Sequence, residues 1–107
     1  MQAIIIAGGK GTRLKPLTLS TPKPLIPVLG KPILQYQIEL LKKFNIKEIV
    51  LCLNYKAKEI MDYFKDGKNF KVNIKYSLEE NFLGTAGALK NSERYINSEI
   101  LIVLNGD

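Results

Sequence analysis

The chain has 107 residues, 46% of them hydrophobic and 24% charged, and its 16 Lys and Arg outnumber 10 Asp and Glu to give a formal net charge of +6. That length suits one globular domain that buries roughly two-thirds of its unfolded surface. A single cysteine, Cys52, and the absence of histidine exclude an internal disulfide and a Cys/His metal cluster.

The basic residues are spread along the chain and form no block, so they read as solvated helix faces and not as a nucleic-acid surface. The start, MQAIII, lacks the basic opening and long apolar run of a signal peptide. No apolar stretch approaches the roughly 18 residues of a transmembrane helix, so a soluble, cytoplasmic protein without membrane or nucleic-acid partners is expected.

Residues 3 to 7, AIIIA, are continuously apolar and β-branched, as a strand covered on both faces requires. The stretch AGGKGTRLKPLTLSTPKP follows from Ala7 to Pro24, with Gly8, Gly9 and Gly11 around Lys10 and Arg13, and Lys23 between two prolines. Pro24 and Pro27 leave PLIPVLGK only a short extended or irregular path. Pro32 suits the first turn of a helix running to about Phe44, with Leu34, Ile38 and Leu41 on one stripe and Asn45 as its end.

Residues 48 to 53, EIVLCL, form a second apolar strand, with Asn54 as a turn or cap and Cys52 as packing. A helix over about 56 to 65 carries Ala57, Ile60, Met61 and Phe64 at helical spacing and stops near Gly67. Residues 71 to 77 alternate, placing Val72, Ile74 and Tyr76 on one face of an edge or half-exposed strand. The loop EENFLGTAGAL leads into a helix of about 85 to 96, and ILIVL at 100 to 104 is a fourth apolar strand ending in Asn105, Gly106 and Asp107. Tyr36, Tyr55, Tyr63 and Tyr76 read as core or rim.

Strands alternating with helices predict an α/β fold with a mostly parallel sheet in the order 3-2-1-4. Strands 1 and 4 are then neighbours whose connections leave in opposite directions, and ligands bind beyond the carboxyl ends of strands at such a switch point. The glycine loop follows strand 1 and Asp107 follows strand 4, so topology joins an amide-rich bend to a carboxylate. Glycines there let backbone N–H groups approach an anion, with phosphate the expected guest. A carboxylate facing phosphates needs a cation between them, which points to Mg²⁺. Neither familiar phosphate loop fits, because GxGxxG would need glycine where Leu14 stands and GK is not followed by Ser or Thr at the end of a P-loop frame.

GGKGTRLKPLT, then PKPLIPVLGKPIL, then YSLEENFLGTAGAL, then VLNGD, closely resembles the N-terminal half of the sugar-1-phosphate nucleotidyltransferases, nearest the mannose-1-phosphate guanylyltransferase-like branch. The resemblance runs over the whole chain. It implies a Rossmann-like fold of the nucleotide-diphospho-sugar transferase type, with residues 1–107 as the nucleotide-binding part. The implied reaction is attack of a sugar 1-phosphate oxygen on the α-phosphate of a nucleoside triphosphate.

Carried over by position, Ala7, Gly8, Gly9, Gly11 and Thr12 would wrap the triphosphate, and Arg13 would hold the departing pyrophosphate with its planar fork of donors. Lys23 would offset charge between the α-phosphate and the sugar phosphate, Asp107 would ligate Mg²⁺, and Asn105 would lie beside the nucleotide. Glu79 and Gly84 resemble the segment that lines the base. A carboxylate can accept from the N1–H and exocyclic amine of guanine, so GTP is favoured over UTP, dTTP or ATP. The plain alternative makes Glu79 and Glu80 two solvent-facing acids beside a turn.

The resemblance also implies that the family's sugar-binding portion and second acidic metal ligand lie beyond Asp107. The chain is therefore expected to bind nucleotide but to turn over poorly alone, and the uncovered face of its last strand to favour self-association. Thymidylyl-, uridylyl- or heptose-phosphate guanylyl-transfer is the nearest alternative activity. A non-catalytic module that senses nucleotide sugars is the alternative of another class.

Overall fold

The computed structural model describes residues 1–8, 21–79 and 84–106. In chain order the elements are β1 (Gln2–Ile6), β2 (Pro27–Val28), β3 (Lys31–Pro32), α1 (Ile33–Lys43), β4 (Glu48–Leu53), α2 (Ala57–Phe64), β5 (Asn73–Leu78), α3 (Gly84–Ser92) and β6 (Leu101–Asn105). Short 3₁₀ turns cover Lys23–Leu25, Lys68–Phe70 and Glu93–Tyr95.

Four strands form one parallel sheet in the order β5-β4-β1-β6, the 3-2-1-4 order expected from the sequence. Ile5 on the central strand β1 stands opposite Leu51 on one side and Leu104 on the other. Successive strand residues face opposite ways, so the apolar runs fill two separate layers. Ala3, Ile5, Ile49, Leu51 and Leu53 pack with Leu34 and Ile38 of α1 and Ile60 and Phe64 of α2. Ile4, Ile6, Val50 and Cys52 pack with Ala88 of α3. The architecture is α/β/α, and every residue of β1 is buried.

Pro32 is the N-cap of α1, extended at φ −56° and ψ 143°, and Leu34, Ile38 and Leu41 form the buried stripe. Lys42 and Lys43 lie in the last turn, where cations complement the helix dipole. Asn45 then takes the left-handed conformation at φ 62° and its N–H reaches the Lys42 carbonyl, ending the helix where expected.

Pro27–Val28 and Lys31–Pro32 pair as a short antiparallel hairpin across Leu29 and Gly30, both at positive φ, which gives the short extended path expected there. One segment differs from the sequence reading. The helix expected to reach residue 96 ends at Ser92 and tightens into a 3₁₀ turn. A tertiary contact holds the turn that follows: buried Gln2 donates to the Tyr95 carbonyl at 3.1 Å and accepts the Asn97 N–H at 2.7 Å.

Among the described residues β6 is an edge strand paired only with β1, and Leu101 and Val103 remain 37% and 42% exposed on it. Among the described residues no helix is long and apolar enough to cross a membrane.

Candidate nucleotide site

Beyond the last residue of each strand the sheet is still tied together. The Ala7 N–H donates to the Cys52 carbonyl at 2.9 Å, the Glu79 N–H to the Leu53 carbonyl at 2.9 Å, and the Gly106 N–H to the Ile6 carbonyl at 2.7 Å. These rungs align the carboxyl ends of β1, β4, β5 and β6 on one rim. Side chains extend the lattice: Asn54 Nδ2 donates to the Glu79 carbonyl at 2.7 Å, and Asn91 Nδ2 to Ser77 Oγ at 3.1 Å and the Leu78 carbonyl at 3.0 Å. Gln37 Nε2, from α1, donates to the Asn105 carbonyl at 3.2 Å, while its Oε1 is buried with no partner among the described residues.

Glu79 is only 7% exposed, which overturns the alternative that it is a solvent-facing acid. Its Oε2 lies 3.7 Å from the position a Cβ would take on Gly8, so a carboxylate sits against the first glycine of the loop after β1. Burial is costly for a charge unless polar groups surround it, which marks this as a built position. The field of Glu79 is felt nearby. The Cys52 thiol is pushed up, mainly by burial, against a lowering from the Ser92 hydrogen bond, and the Glu79 charge adds a smaller upward push. Buried and hydrogen-bonded to the Ala88 carbonyl at 3.8 Å, Cys52 is packing, as read from its apolar strand.

Gly8 itself is buried, and a Cβ there would meet Asn54 Cβ at 3.4 Å and Asn54 N at 3.6 Å, both ordinary contacts. Gly106 is different. Its Cβ would stand 3.0 Å from the Ile6 carbonyl oxygen and 3.1 Å from Ala7 Cβ, so a larger residue would press β6 away from the end of β1 by a few tenths of an ångström.

Of the residues proposed from sequence, Ala7, Gly8, Glu79 and Asn105 therefore fall on one rim. Lys23 opens the 3₁₀ turn Lys23–Leu25, half-buried, with Pro24 buried behind it and Leu25 packed against the main core. Gly84 starts α3 at φ 74°, a conformation that favours glycine. Gly9, Gly11, Thr12, Arg13 and Asp107 lie outside the described residues.

Comparison with known proteins gives this rim its context. Residues 2–107 match the family described as Nucleotidyl transferase. The chain belongs to that family. It is 48% identical to the D-glycero-alpha-D-manno-heptose 1-phosphate guanylyltransferase of Campylobacter jejuni over 100% of this chain and 48% of that protein. It is 40% identical to the UTP--glucose-1-phosphate uridylyltransferase of Synechocystis, covering 100% of this chain and 30% of the relative. Among solved structures, HddC from Yersinia pseudotuberculosis complexed with GMP-PN superposes with a TM-score of 0.86 at 39% identity, over 99% of this chain and 47% of that one. The chain thus spans about half, or less, of the length of the nucleotidyl transferases it matches.

Among the described residues no group of three or more His, Cys, Asp or Glu side chains could hold a metal ion. For this nucleotidyl transferase the candidate ligand from sequence is Asp107, directly after Gly106. Two rim residues escaped the sequence reading. Asn54 was expected to act as a turn or cap, yet its side chain crosses to the end of β5, and Gln37 was not singled out on α1. An asparagine directly after a buried strand was the available signal for the first; nothing in the local pattern distinguished the second.

Proposed function

We propose that residues 1–107 form the nucleotide-binding part of a sugar-1-phosphate guanylyltransferase, which transfers GMP from GTP to a manno-configured sugar 1-phosphate and releases pyrophosphate. The observation that carries this reading is the buried Glu79 carboxylate beside Gly8, on the rim where the ends of β1 and β6 are joined by the Gly106–Ile6 hydrogen bond. A carboxylate set back from a glycine bend suits the base of a nucleotide whose phosphates run along that bend. Guanine offers it two adjacent donors, the N1–H and the exocyclic amine, whereas uracil offers one. The manno configuration is supported by the resemblance to mannose-1-phosphate guanylyltransferases and by the manno-heptose 1-phosphate named for the Campylobacter relative.

In the reaction an oxygen of the sugar phosphate attacks the α-phosphorus, a new P–O bond forms, and the bond to the β-phosphate oxygen breaks with pyrophosphate leaving in line. Such chemistry needs positioning and charge neutralisation more than a nucleophilic side chain. The amides from Ala7 to Thr12 bind the phosphates, Arg13 takes the charge growing on pyrophosphate, and Lys23 offsets the repulsion between two approaching anions. Asp107 offers a hard oxygen donor of the kind Mg²⁺ prefers, and magnesium there would neutralise phosphate charge.

The test is calorimetric titration of the chain with GTP, UTP, dTTP and ATP, with and without Mg²⁺, alongside Arg13→Ala, Lys23→Ala and Glu79→Gln. GTP is expected to bind most tightly, the first two variants to weaken all triphosphates, and Glu79→Gln to remove the preference for GTP. Equal affinity for all four triphosphates refutes the guanine assignment, and no binding of any of them refutes the transferase site.

A further inference from the structure

We infer that Asn54 is a positioning residue for base selection, holding the Glu79 peptide so that its carboxylate is presented beside Gly8. This rests on the reading of Glu79 as the guanine-facing acid.

β5 is an edge strand, and its neighbour β4 ends at Leu53, whose carbonyl accepts the last rung from the Glu79 N–H at 2.9 Å. The Glu79 carbonyl therefore projects past the end of the β4 ladder. Asn54, the next residue of that neighbouring chain, supplies the missing donor from its side chain at 2.7 Å, while its Cβ and backbone N stand against Gly8. One residue thus touches both the glycine bend and the acid-bearing peptide. From the α3 side, Asn91 holds the Leu78 carbonyl at 3.0 Å. With the peptides on both sides of Glu79 held, Asn54 helps to fix the backbone from which the Glu79 side chain projects. A serine is too short for this span, and an aspartate cannot donate and would place a second negative charge beside Glu79.

The experiment compares GTP with inosine triphosphate, which lacks only the exocyclic amine, so that the ratio of their affinities reads the carboxylate–base contact and nothing else. The 107-residue chain is expected to bind GTP about tenfold or more tightly than ITP. In Asn54→Ala and in the isosteric Asn54→Asp that ratio is expected to fall towards one, and UTP, which offers the carboxylate a single donor, is expected to lose less affinity than GTP. Thermal melts confirm that each variant is folded. In the unmodified chain the Asn54 side-chain NH₂ resonances are expected to shift on GTP binding and to shift less with ITP, a readout that requires no variant.

If the variants keep the GTP-to-ITP ratio and only melt earlier, or if those resonances ignore GTP, Asn54 is a structural turn residue and the inference is overturned while the guanine reading stands. If the unmodified chain itself binds GTP and ITP equally, the guanine reading fails, and this inference with it.

Discussion

The Gly106 N–H donates to the Ile6 carbonyl at 2.7 Å, one rung past the register pair of Ile6 with Asn105. That rung fixes the residue before Asp107 against the residue before the glycine bend. Gly106→Ala would force a Cβ to 3.0 Å from a backbone oxygen, and overpacking of this kind costs about 1–3 kcal/mol. Displacement of the strand end is the cheapest relief, and it carries Asp107 with it. The expected outcome is a small fall in melting temperature and a clear loss of the Mg²⁺-dependent part of GTP affinity. Unchanged affinity with Mg²⁺ would show that this rung does not set the site.

Gly8→Ala makes the opposite prediction from a similar position. The added Cβ meets Asn54 and Glu79 at 3.4 to 3.7 Å, and the Gly8 backbone is not at positive φ. Stability is expected to hold or to rise by up to about 1 kcal/mol, since alanine restricts the unfolded chain. GTP binding is expected to fall at least tenfold, because the methyl group narrows the space beside the Glu79 carboxylate that the base is proposed to use. A variant that folds well and binds GTP normally would place the nucleotide elsewhere.

The fold was almost entirely legible because its strands are short, fully apolar and set between helices of clear period. Ile4, Ile5 and Ile6 can only be satisfied in a sheet covered on both faces. The order of strands followed from connection rules, and it set the ends of β1 and β6 side by side, whereas Glu79 and Asn105 were assigned from the family resemblance. What was not legible depends on contacts between distant residues. Gln2 holding the Tyr95 carbonyl from 93 residues away, and Asn54 reaching Glu79 at the end of the neighbouring strand, leave no local signature, since either side chain would serve equally well in solvent. The burial of Glu79 belongs to the same class. A pair of acids before a glycine turn looks solvated until α3 and the end of β1 close around one of them.

Phe64 tests how much of the core hangs on α2. It is fully buried, sits edge-on to Tyr63 with ring centroids 4.8 Å apart, and meets Phe70 at 5.3 Å. Phe64→Ala removes both ring contacts and leaves a cavity over β4 and β5, at a cost of about 3–5 kcal/mol. For a domain of this size that is a large part of the total stability. The denaturation midpoint is expected to drop sharply, and a loss under about 1 kcal/mol would mean that α2 packs far more loosely than its contacts indicate.

The last prediction concerns alkaline pH. Tyr76 lies half-buried on β5 and donates its hydroxyl to the Lys65 carbonyl at 2.5 Å. Burial pushes its phenol up to about 12, with the Asp66 charge adding to the effect. The folded state thus favours the neutral phenol relative to an unfolded value near 10. This stabilisation is complete below about pH 10 and is lost as the pH rises towards about 12. Because the side chain is only partly shielded, the contribution is on the order of 1 kcal/mol. Tyr76→Phe also removes the hydrogen bond, so it is expected to be less stable than the parent at neutral pH by about 1 kcal/mol. The difference should shrink between pH 10 and 12, where the parent loses what the variant never had. Denaturant titrations of both chains across that range check the sign, and a difference that stays constant or grows with pH would show that Tyr76 ionises no later in the folded state than in the unfolded one.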